Sequence, residues 1–566
     1  MLTTACQSGL DSADIIIKNA KIITFNKEQP QAQAVAVKNG QFIYVGDNNG
    51  VANYKSSIKI DLRGKLLIPG MVDGHAHPGY VNIESFGEVA GDTEQELLAS
   101  VKQYADAHPD KKWLRLCCWP TEMFVQGTQG PKKELLDTVV PDRLVWFESD
   151  TSHDYWLNSK ALKKLGVDKT TPDPKLGLAM YQRDNDGEPT GWVKEGAGVQ
   201  HFTQQFALAD KAHIELHKQS VAETLQTLSR HGITSIFDAG NKGFGDIVYP
   251  VIAQLEKEGR LPVRYYGTYQ IFTPERASEA IAEVKRYRRE YAGELLQFNS
   301  VKIFMDGISA NQSAAYTEPY VGKTSPGVTM LSVDELRDLL LQLHDEKLDL
   351  MVHSIGDLAV KTVLDAVEAA QAMVKDDFYP RVTVAHLALI DPADVPRIKE
   401  LGVIANFTPW WFGVTPEDLV ERFLGSERYA KMYAAKTVFD SGARVTFSSD
   451  EWWGGEMLAT YINPYLGMQV GHTRQYPKDW WETEDDGIRP PIDERLSLEQ
   501  LLEGYTINGA YQLRLEDKVG TIEVGKIADF VVLNKNIFEI DPYKISELEP
   551  STVVMQGKLI QGSFDK

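Results

Sequence analysis

Cysteine is scarce in this chain, and long apolar runs are missing from it. Three cysteines occur among 566 residues, two of them adjacent at Cys117 and Cys118, and this scarcity excludes a disulfide framework. No apolar run in the sequence reaches the roughly 18 residues that a membrane-spanning helix needs. We therefore expect a water-soluble body without a transmembrane segment.

Basic residues are also fewer than acidic residues. The 59 Lys and Arg residues are outnumbered by 80 Asp and Glu residues, and the formal net charge is -21. Because phosphate binding depends on clustered Lys and Arg, this balance argues against a nucleic-acid partner. The composition leaves the oligomeric state open, with a homodimer as one option.

Residues 1–12 predict a tail rather than a folded element. Small residues precede Cys6, as at the end of a bacterial lipoprotein signal, but no basic and apolar regions come before them. The tail is therefore either the remnant of such a signal or a frayed end. The compartment is left open between the cytoplasm and a periplasmic location with a lipid anchor on Cys6.

Strand patterns occupy both ends of the chain. Short alternating or apolar runs lie within residues 13–66, with Asn39-Gly40 as a hairpin signal, and similar runs lie within residues 515–566. Neither end is long enough for a stable sheet of its own. We therefore expect the two ends to pair into one discontinuous, small β-sandwich domain.

Eight buried-strand patterns alternate with amphipathic-helix patterns between these ends. The first begins at residue 67 and ends at His75-Ala76-His77, and the others cover residues 232–238, 263–269, 300–306, 350–353, 382–386, 403–407 and 444–450. This alternation predicts an α/β fold, a (β/α)8 barrel over residues 67–514. The gap at about residues 79–208 is too long for a bare loop and predicts an insertion after strand one.

Side chains that bind metals mark the ends of these predicted strands. His75 and His77 stand two residues apart on one strand, so both imidazoles point to the same side. The other candidates lie within strand four and at the ends of strands five, six and eight, and they are Lys302, His353, His386 and Asp450. Because strand ends meet at one rim of a barrel, we expect these groups to converge there. Imidazole and carboxylate ligands suit zinc and its neighbours.

Each of these residues also has an ordinary structural explanation. A histidine after an apolar strand is often hydrogen-bonded to backbone or water, and a terminal Asp is often a helix N-cap. Lys302 could be a lysine whose charged end reaches solvent. The joint placement on five of eight predicted strands favours the metal site.

Taken together, the motifs resemble the amidohydrolase superfamily, in particular its amidohydrolase-3 branch of N-substituted formamide deformylase-like hydrolases. The resemblance runs from about residue 13 to residue 557, and its motifs are residues 69–77, 301–307, 353–357, 385–386, 449–450, 505–510 and 525–529. It implies a binuclear centre of divalent ions, expected to be zinc, bridged by a carbamate on Lys302. One ion would be held by His75, His77 and Asp450, and the other by His353 and His386. The alternative is an unmodified Lys302 beside a single metal.

The resemblance also implies the reaction. We expect hydrolysis of a carbon–nitrogen bond in an amide, N-acyl or N-formyl compound, by a metal-activated water with Asp450 as the general base. A hydrolase of lactones or phosphoesters, or a deaminase, would use the same scaffold. A noncatalytic interaction protein is a further alternative, but such a protein should have lost metal ligands, and none is missing here.

Three residues are candidates for contact with a small-molecule substrate. His153 lies in a segment similar to the family's His…Asn-Ser…Ala-Leu pattern, and it either faces the substrate or only locks the insertion. Trp410 follows strand seven and Trp452 follows Asp450, where aromatic rings either line an apolar pocket or serve as packing. Glu451-Trp452-Trp453 departs from the small residue and Pro that are usual for the branch, a difference that concerns the substrate pocket and not the metal site.

Overall fold

The computed structural model describes most of the chain. The described residues are 11–79, 87–125, 130–198, 211–375, 377–415, 418–451, 458–478, 480 and 487–563. Cys6 and Trp452 lie outside them. Across these ranges, no helix has both the length and the apolar character that crossing a bilayer requires.

A parallel sheet of eight strands, hydrogen-bonded in chain order, forms the centre of the described chain. The strands are β1 Met71–Ala76, β2 Ile233–Asp238, β3 Arg264–Ile271, β4 Leu296–Phe304, β5 Asp349–Ser354, β6 Val382–His386, β7 Ile404–Phe407 and β8 Arg444–Phe447. β1 meets the chain that follows β8 just beyond the strand ends, where the N–H of Asp450 donates to the carbonyl of His75 at 2.8 Å. The sheet is thereby closed at its C-terminal rim.

Helices alternate with the barrel strands and cover them. In chain order they are Lys211–Arg230, Gly245–Lys257, Ala280–Tyr291, Val333–Asp345, Asp357–Met373, Val395–Glu400, Ala435–Asp440 and, after β8, the consecutive turns Leu498–Glu503, Gly504–Asn508 and Gly509–Gln512. In Val333–Asp345, Leu336, Leu339, Leu340 and Leu343 recur at helical spacing and are all buried. Shorter helices after β7 and β8 are Leu419–Leu424, Ser426–Tyr429, Leu458–Tyr461 and Pro464–Thr473.

Strands from the two ends of the chain share one sheet. Leu66–Pro69 lies between Lys21–Ile23 and Phe530–Leu533, and Gln31–Ala32, Pro550–Met555 and Lys558–Gly562 extend that sheet. A four-stranded sheet of Ile15–Lys18, Ala34–Lys38, Gln41–Gly46 and Ile58–Asp61 shares an apolar cluster with it. The predicted fold class, an α/β barrel with a small β domain built from both chain ends, is confirmed. Because Leu66–Pro69 belongs to this domain, the first barrel strand begins at Met71.

The insertion after β1 has a sheet and helices of its own. Its strands are, in spatial order, Gly87–Glu88, Trp113–Trp119, Leu144–Ser149, Tyr155–Leu157, Pro189–Lys194 and Met180–Arg183. Its helices are Glu94–Ala107, Thr121–Val125, Lys133–Val139 and Ser159–Leu165. Cys117 and Cys118 are joined by a disulfide within this sheet. The predicted long insertion is therefore a folded layer rather than a loop.

The eighth strand is shorter than the sequence predicts. It ends at Phe447 rather than at Asp450: the N–H of Ser448 still donates to the Phe407 carbonyl of β7 at 3.0 Å, but the N–H groups of Ser449 and Asp450 turn towards β1. The N–H of Ser449 donates to the Asp73 carboxylate at 3.1 Å, and Asp450 takes a left-handed conformation with a φ of 51°. The turn directs the Asp450 side chain towards the end of β1.

A buried ion pair joins the barrel to the β domain and generates a stability prediction. The Arg264 guanidinium donates to the carboxylate of Asp529, and their side chains are 6% and 1% exposed. Asp529→Ala should lower the free energy of unfolding by about 3–5 kcal/mol, because it leaves a buried charge unpaired. Chemical denaturation measures this loss. Lys21→Ala, which breaks an exposed pair with Glu539, is the control and should leave the denaturation midpoint unchanged. Equal losses in the two variants would contradict the role given to the buried pair.

Candidate metal centre

The six predicted metal ligands meet at the C-terminal rim of the barrel. They are His75, His77, Lys302, His353, His386 and Asp450, which lie on five strands or directly after them. Lys302 is fully buried, and His75 and His386 are nearly so. The structure thus brings all six side chains together, while their function as ligands stays a prediction.

The Asp450 carboxylate lies at the centre of this cluster. Its Oδ1 lies 3.0 Å from Nε2 of His75 and 3.4 Å from Nε2 of His77, and its Oδ2 lies 3.8 Å from Nδ1 of His386. The Lys302 Nζ lies 3.4 Å from Nε2 of His75. Donor atoms of His75, His386 and Asp450 all lie within 4.8 Å of one another, a spacing that a single ion can bridge.

Backbone carbonyls orient two of the imidazoles. The Nδ1 of His77 lies 2.7 Å from the Gly240 carbonyl, an arrangement that directs Nε2 to Asp450. The Nε2 of His353 lies 3.3 Å from the Gly307 carbonyl, so Nδ1 is the ring nitrogen left for an ion. A hydrogen bond from one ring nitrogen to a carbonyl is the common support of a metal-binding histidine.

Two further ring nitrogens in the cluster are buried and unpaired. Nδ1 of His75 and Nδ1 of His386 have no hydrogen-bond partner among the described residues. Buried polar atoms are normally hydrogen-bonded, so an unpaired nitrogen calls for a partner. Nδ1 of His386 lies 3.8 Å from the Asp450 carboxylate and could take an ion there, whereas the His75 atom that faces Asp450 is Nε2. Nitrogen and carboxylate donors at this spacing fit a divalent transition-metal ion.

Burial sets the protonation states in the cluster. It lowers the pKa of His75 to about 3, with a contribution from Lys302, and it holds the pKa values of His353 and His386 well below their usual range. These imidazoles are therefore neutral near pH 7, which is the form that binds metals. Burial likewise lowers the pKa of Lys302 to about 7. Although burial acts to raise the pKa of Asp450, the His75 and His386 imidazoles hold it well below its usual range.

Asp73 fixes the backbone that carries the cluster. Its Oδ1 accepts the N–H of His75 at 3.2 Å and the N–H of Ser449 at 3.1 Å. Burial raises the pKa of Asp73 to about 6. Glycine is required at position 74, between Asp73 and His75, because a Cβ added there would lie 2.7 Å from Nδ2 of Asn406. Sequence reasoning missed this role, although Asp73 stands within the motif itself.

The cluster opens into a cavity of about 340 Å³. The walls beyond the cluster are mainly apolar and include Ile308, Ile355, Trp411, Val420 and Met432. His153 and Trp410 both line the cavity, and Nε1 of Trp410 donates to the Ser449 carbonyl at 2.7 Å. Trp410 therefore also supports the turn before Asp450. Trp452 lies outside the described residues, and its contact with substrate stays a prediction.

Two charged residues beside the cavity were missed by sequence reasoning. Glu195 lies 2.6 Å from Nδ1 of His153, and although burial acts to lower the pKa of His153, this carboxylate raises it. The Nζ of Lys242 lies 2.6 Å from Glu148 and donates to the Ser152 carbonyl at 2.9 Å. Glu195 reaches the site because the insertion packs over the barrel rim, a contact that no local pattern signals, whereas Lys242 lies in the barrel segment that follows β2.

A (β/α)8 barrel with such a cluster at its C-terminal rim is the arrangement expected of a metal-dependent hydrolase. The sequence model described as the amidohydrolase family matches residues 59–561. The chain therefore belongs to the amidohydrolase family, as the motifs predicted, and is a metal-dependent hydrolase of that family.

Several known proteins are similar to this chain. The exoenzymes regulatory protein AepA of Pectobacterium carotovorum subsp. carotovorum is 30% identical over 77% of this chain and 93% of its own length. N-substituted formamide deformylase of Arthrobacter pascens is 25% identical over 96% of this chain and 98% of its own length. A solved structure of an uncharacterized metal-dependent hydrolase from Pyrococcus horikoshii OT3 aligns with a TM-score of 0.66 at 19% identity, covering 93% of this chain and 98% of that one. Because only 19% of the aligned residues are identical, this similarity supports the fold and not the activity.

Replacing His386 tests the cluster directly. His386→Ala should lose at least one bound divalent ion per chain, because it removes a buried donor beside Asp450. Metal content after zinc loading and gel filtration, measured by plasma mass spectrometry, checks this. His108→Ala is the matched control, since that ring lies outside the cluster and contacts the Tyr104 carbonyl. Wild-type metal content in a folded His386→Ala variant would contradict the site.

Proposed function

We propose that this protein hydrolyses the carbon–nitrogen bond of an amide, in an N-acyl or N-formyl compound with an apolar substituent. One observation carries the proposal: the Asp450 carboxylate lies among neutral imidazoles at one end of a mainly apolar cavity. The name of the relative from Arthrobacter pascens describes a reaction of this kind.

The cluster has enough donors for two divalent ions, for which we propose zinc. His75, His77 and Asp450 would hold one ion and His353 and His386 the other, with Lys302, as a carbamate, as the ligand that both would share. Burial lowers the pKa of Lys302 to about 7, so a substantial fraction of this side chain is a neutral amine at neutral pH. Only the neutral amine can add carbon dioxide, because an ammonium ion has no lone pair. A bound divalent ion supplies a Lewis acid that polarises a carbonyl and lowers the pKa of water.

Asp450 moves the proton in this proposal. As a carboxylate it takes a proton from the attacking water while the water oxygen bonds to the carbonyl carbon. It then gives that proton to the leaving nitrogen as the C–N bond breaks and its electron pair moves to nitrogen. A carboxylic acid and an amine result. Contacts to His75 and His77 hold the carboxylate in place for both transfers.

The cavity walls favour an uncharged, apolar substituent on the substrate. Trp411 stacks on His386 with ring centroids 5.1 Å apart, so an aromatic face lies beside the cluster. The charged groups elsewhere on the wall are already engaged: Lys242 pairs with Glu148, and Asp150 accepts from Thr121. We propose that His153, Trp410 and Trp452 contact the substrate.

A substrate screen with one variant tests this function. Zinc-loaded protein should release amine and acid from N-acyl or N-formyl compounds with apolar substituents. Asp450→Asn should lower kcat about 1,000-fold, because an amide does not accept the proton from water. Amine release measured by a fluorescent amine reagent checks both results.

Asp142→Asn is the control for this screen. Asp142→Asn alters a carboxylate that is 77% exposed, and it should keep the wild-type rate. Undiminished turnover by Asp450→Asn would contradict the proton-transfer role. Turnover of lactones or phosphotriesters without amine release would assign the ester class instead, and ammonia release would assign a deaminase.

A further inference from the structure

The carboxylate of Glu195 contacts His153, which is a residue of the substrate-cavity wall. The Oε2 of Glu195 lies 2.6 Å from Nδ1 of His153, and the Glu195 side chain is 6% exposed. The other oxygen, Oε1, accepts from the hydroxyl of Ser313, in the chain segment after β4. Both carboxylate oxygens are thereby engaged, and the orientation of the carboxylate is fixed.

The backbone around this pair adopts an uncommon conformation. Ser152, Glu195 and Lys242 have φ angles of 59°, 47° and 50°, in the left-handed region that residues other than glycine rarely occupy. All three line a small cavity of about 40 Å³ that adjoins His153. Such conformations persist only where the surrounding structure enforces them, and they concentrate at functional sites.

Gly307 connects this pair to the metal cluster. An added Cβ at Gly307 would lie 2.2 Å from Oε1 of Glu195 and 2.3 Å from Oγ of Ser313, so the carboxylate fits only beside glycine. The carbonyl of the same residue contacts Nε2 of His353. The ring centroids of His153 and His353 are 5.7 Å apart. One segment therefore sets the position of the pair relative to a predicted metal ligand.

We propose that Glu195 is a positioning residue for His153, holding the ring proton on Nδ1 and thereby presenting Nε2 to the substrate cavity. His153 lines that cavity, and because Nδ1 is engaged by Glu195, Nε2 is the atom available to a ligand. The His153 ring lies beside the cluster, with its centroid 5.7 Å from that of His353, where the polar group next to the scissile bond would lie. The proposal rests on the proposed function only for the identity of that group.

Glu195→Gln tests the proposal because it reverses one hydrogen bond without changing the shape of the side chain. Ser313 donates to the side-chain oxygen, so the new NH2 group faces Nδ1 of His153 and the ring proton moves to Nε2. The expected result is a loss of about 10–100-fold in kcat/KM, with wild-type metal content and melting temperature. Glu188→Gln changes a half-exposed carboxylate of the same insertion and should have no effect. Ser313→Ala should give a smaller loss in the same direction.

The test holds for whichever substrate class the screen identifies, because it compares two forms of one protein on one substrate. If no substrate is found, the proposed function fails. The positioning role of Glu195 is then tested separately by histidine-selective 15N spectra, which report which ring nitrogen carries the proton. The His153 signals are assigned with His153→Gln. Protonated Nδ1 in the wild type and protonated Nε2 in Glu195→Gln would support it. Wild-type kcat/KM in Glu195→Gln, a loss matched by lost metal or lost stability, or protonated Nε2 in the wild type would overturn it.

Discussion

The hydrogen bond from the N–H of Asp450 to the carbonyl of His75, at 2.8 Å, is the contact on which the site depends. It joins the end of the first barrel strand to the turn after the last one, and the bond from Ser449 to Asp73 reinforces it. With the two backbones fixed, the side chains of Asp450 and His75 meet at 3.0 Å. The same backbone contacts therefore close the barrel and bring the Asp450 side chain to His75.

Burial gives the cluster its chemistry. In water a lysine is cationic and an imidazole partly so, but an apolar surrounding disfavours the charged form. His75, His353 and Lys302 therefore offer lone pairs, while Asp450 keeps its negative charge. An anion among neutral donors attracts a divalent cation. The mainly apolar cavity walls beside these groups are also the surface available to an apolar substituent.

The sequence predicts those parts of the site that follow a local pattern. His75-Ala76-His77 has the period of a strand, and His386 ends one, so their shared rim could be expected. The turn that directs Asp450 to the cluster could not be expected, because it depends on Asp73 of β1, which is 376 residues from Ser449 in the chain. Glu195 is beyond local prediction for a related reason: its contacts with His153 and Ser313 arise from the packing of the insertion on the barrel.

A crystal structure of the zinc-loaded protein, with anomalous data collected above and below the zinc absorption edge, tests the metal centre most directly. Two anomalous peaks are expected within the cluster, bridged by density that extends from Nζ of Lys302, because the six side chains offer donors for two ions. A single peak beside a bare Lys302 amine would contradict the binuclear centre. No peak among these residues would contradict the metal site itself.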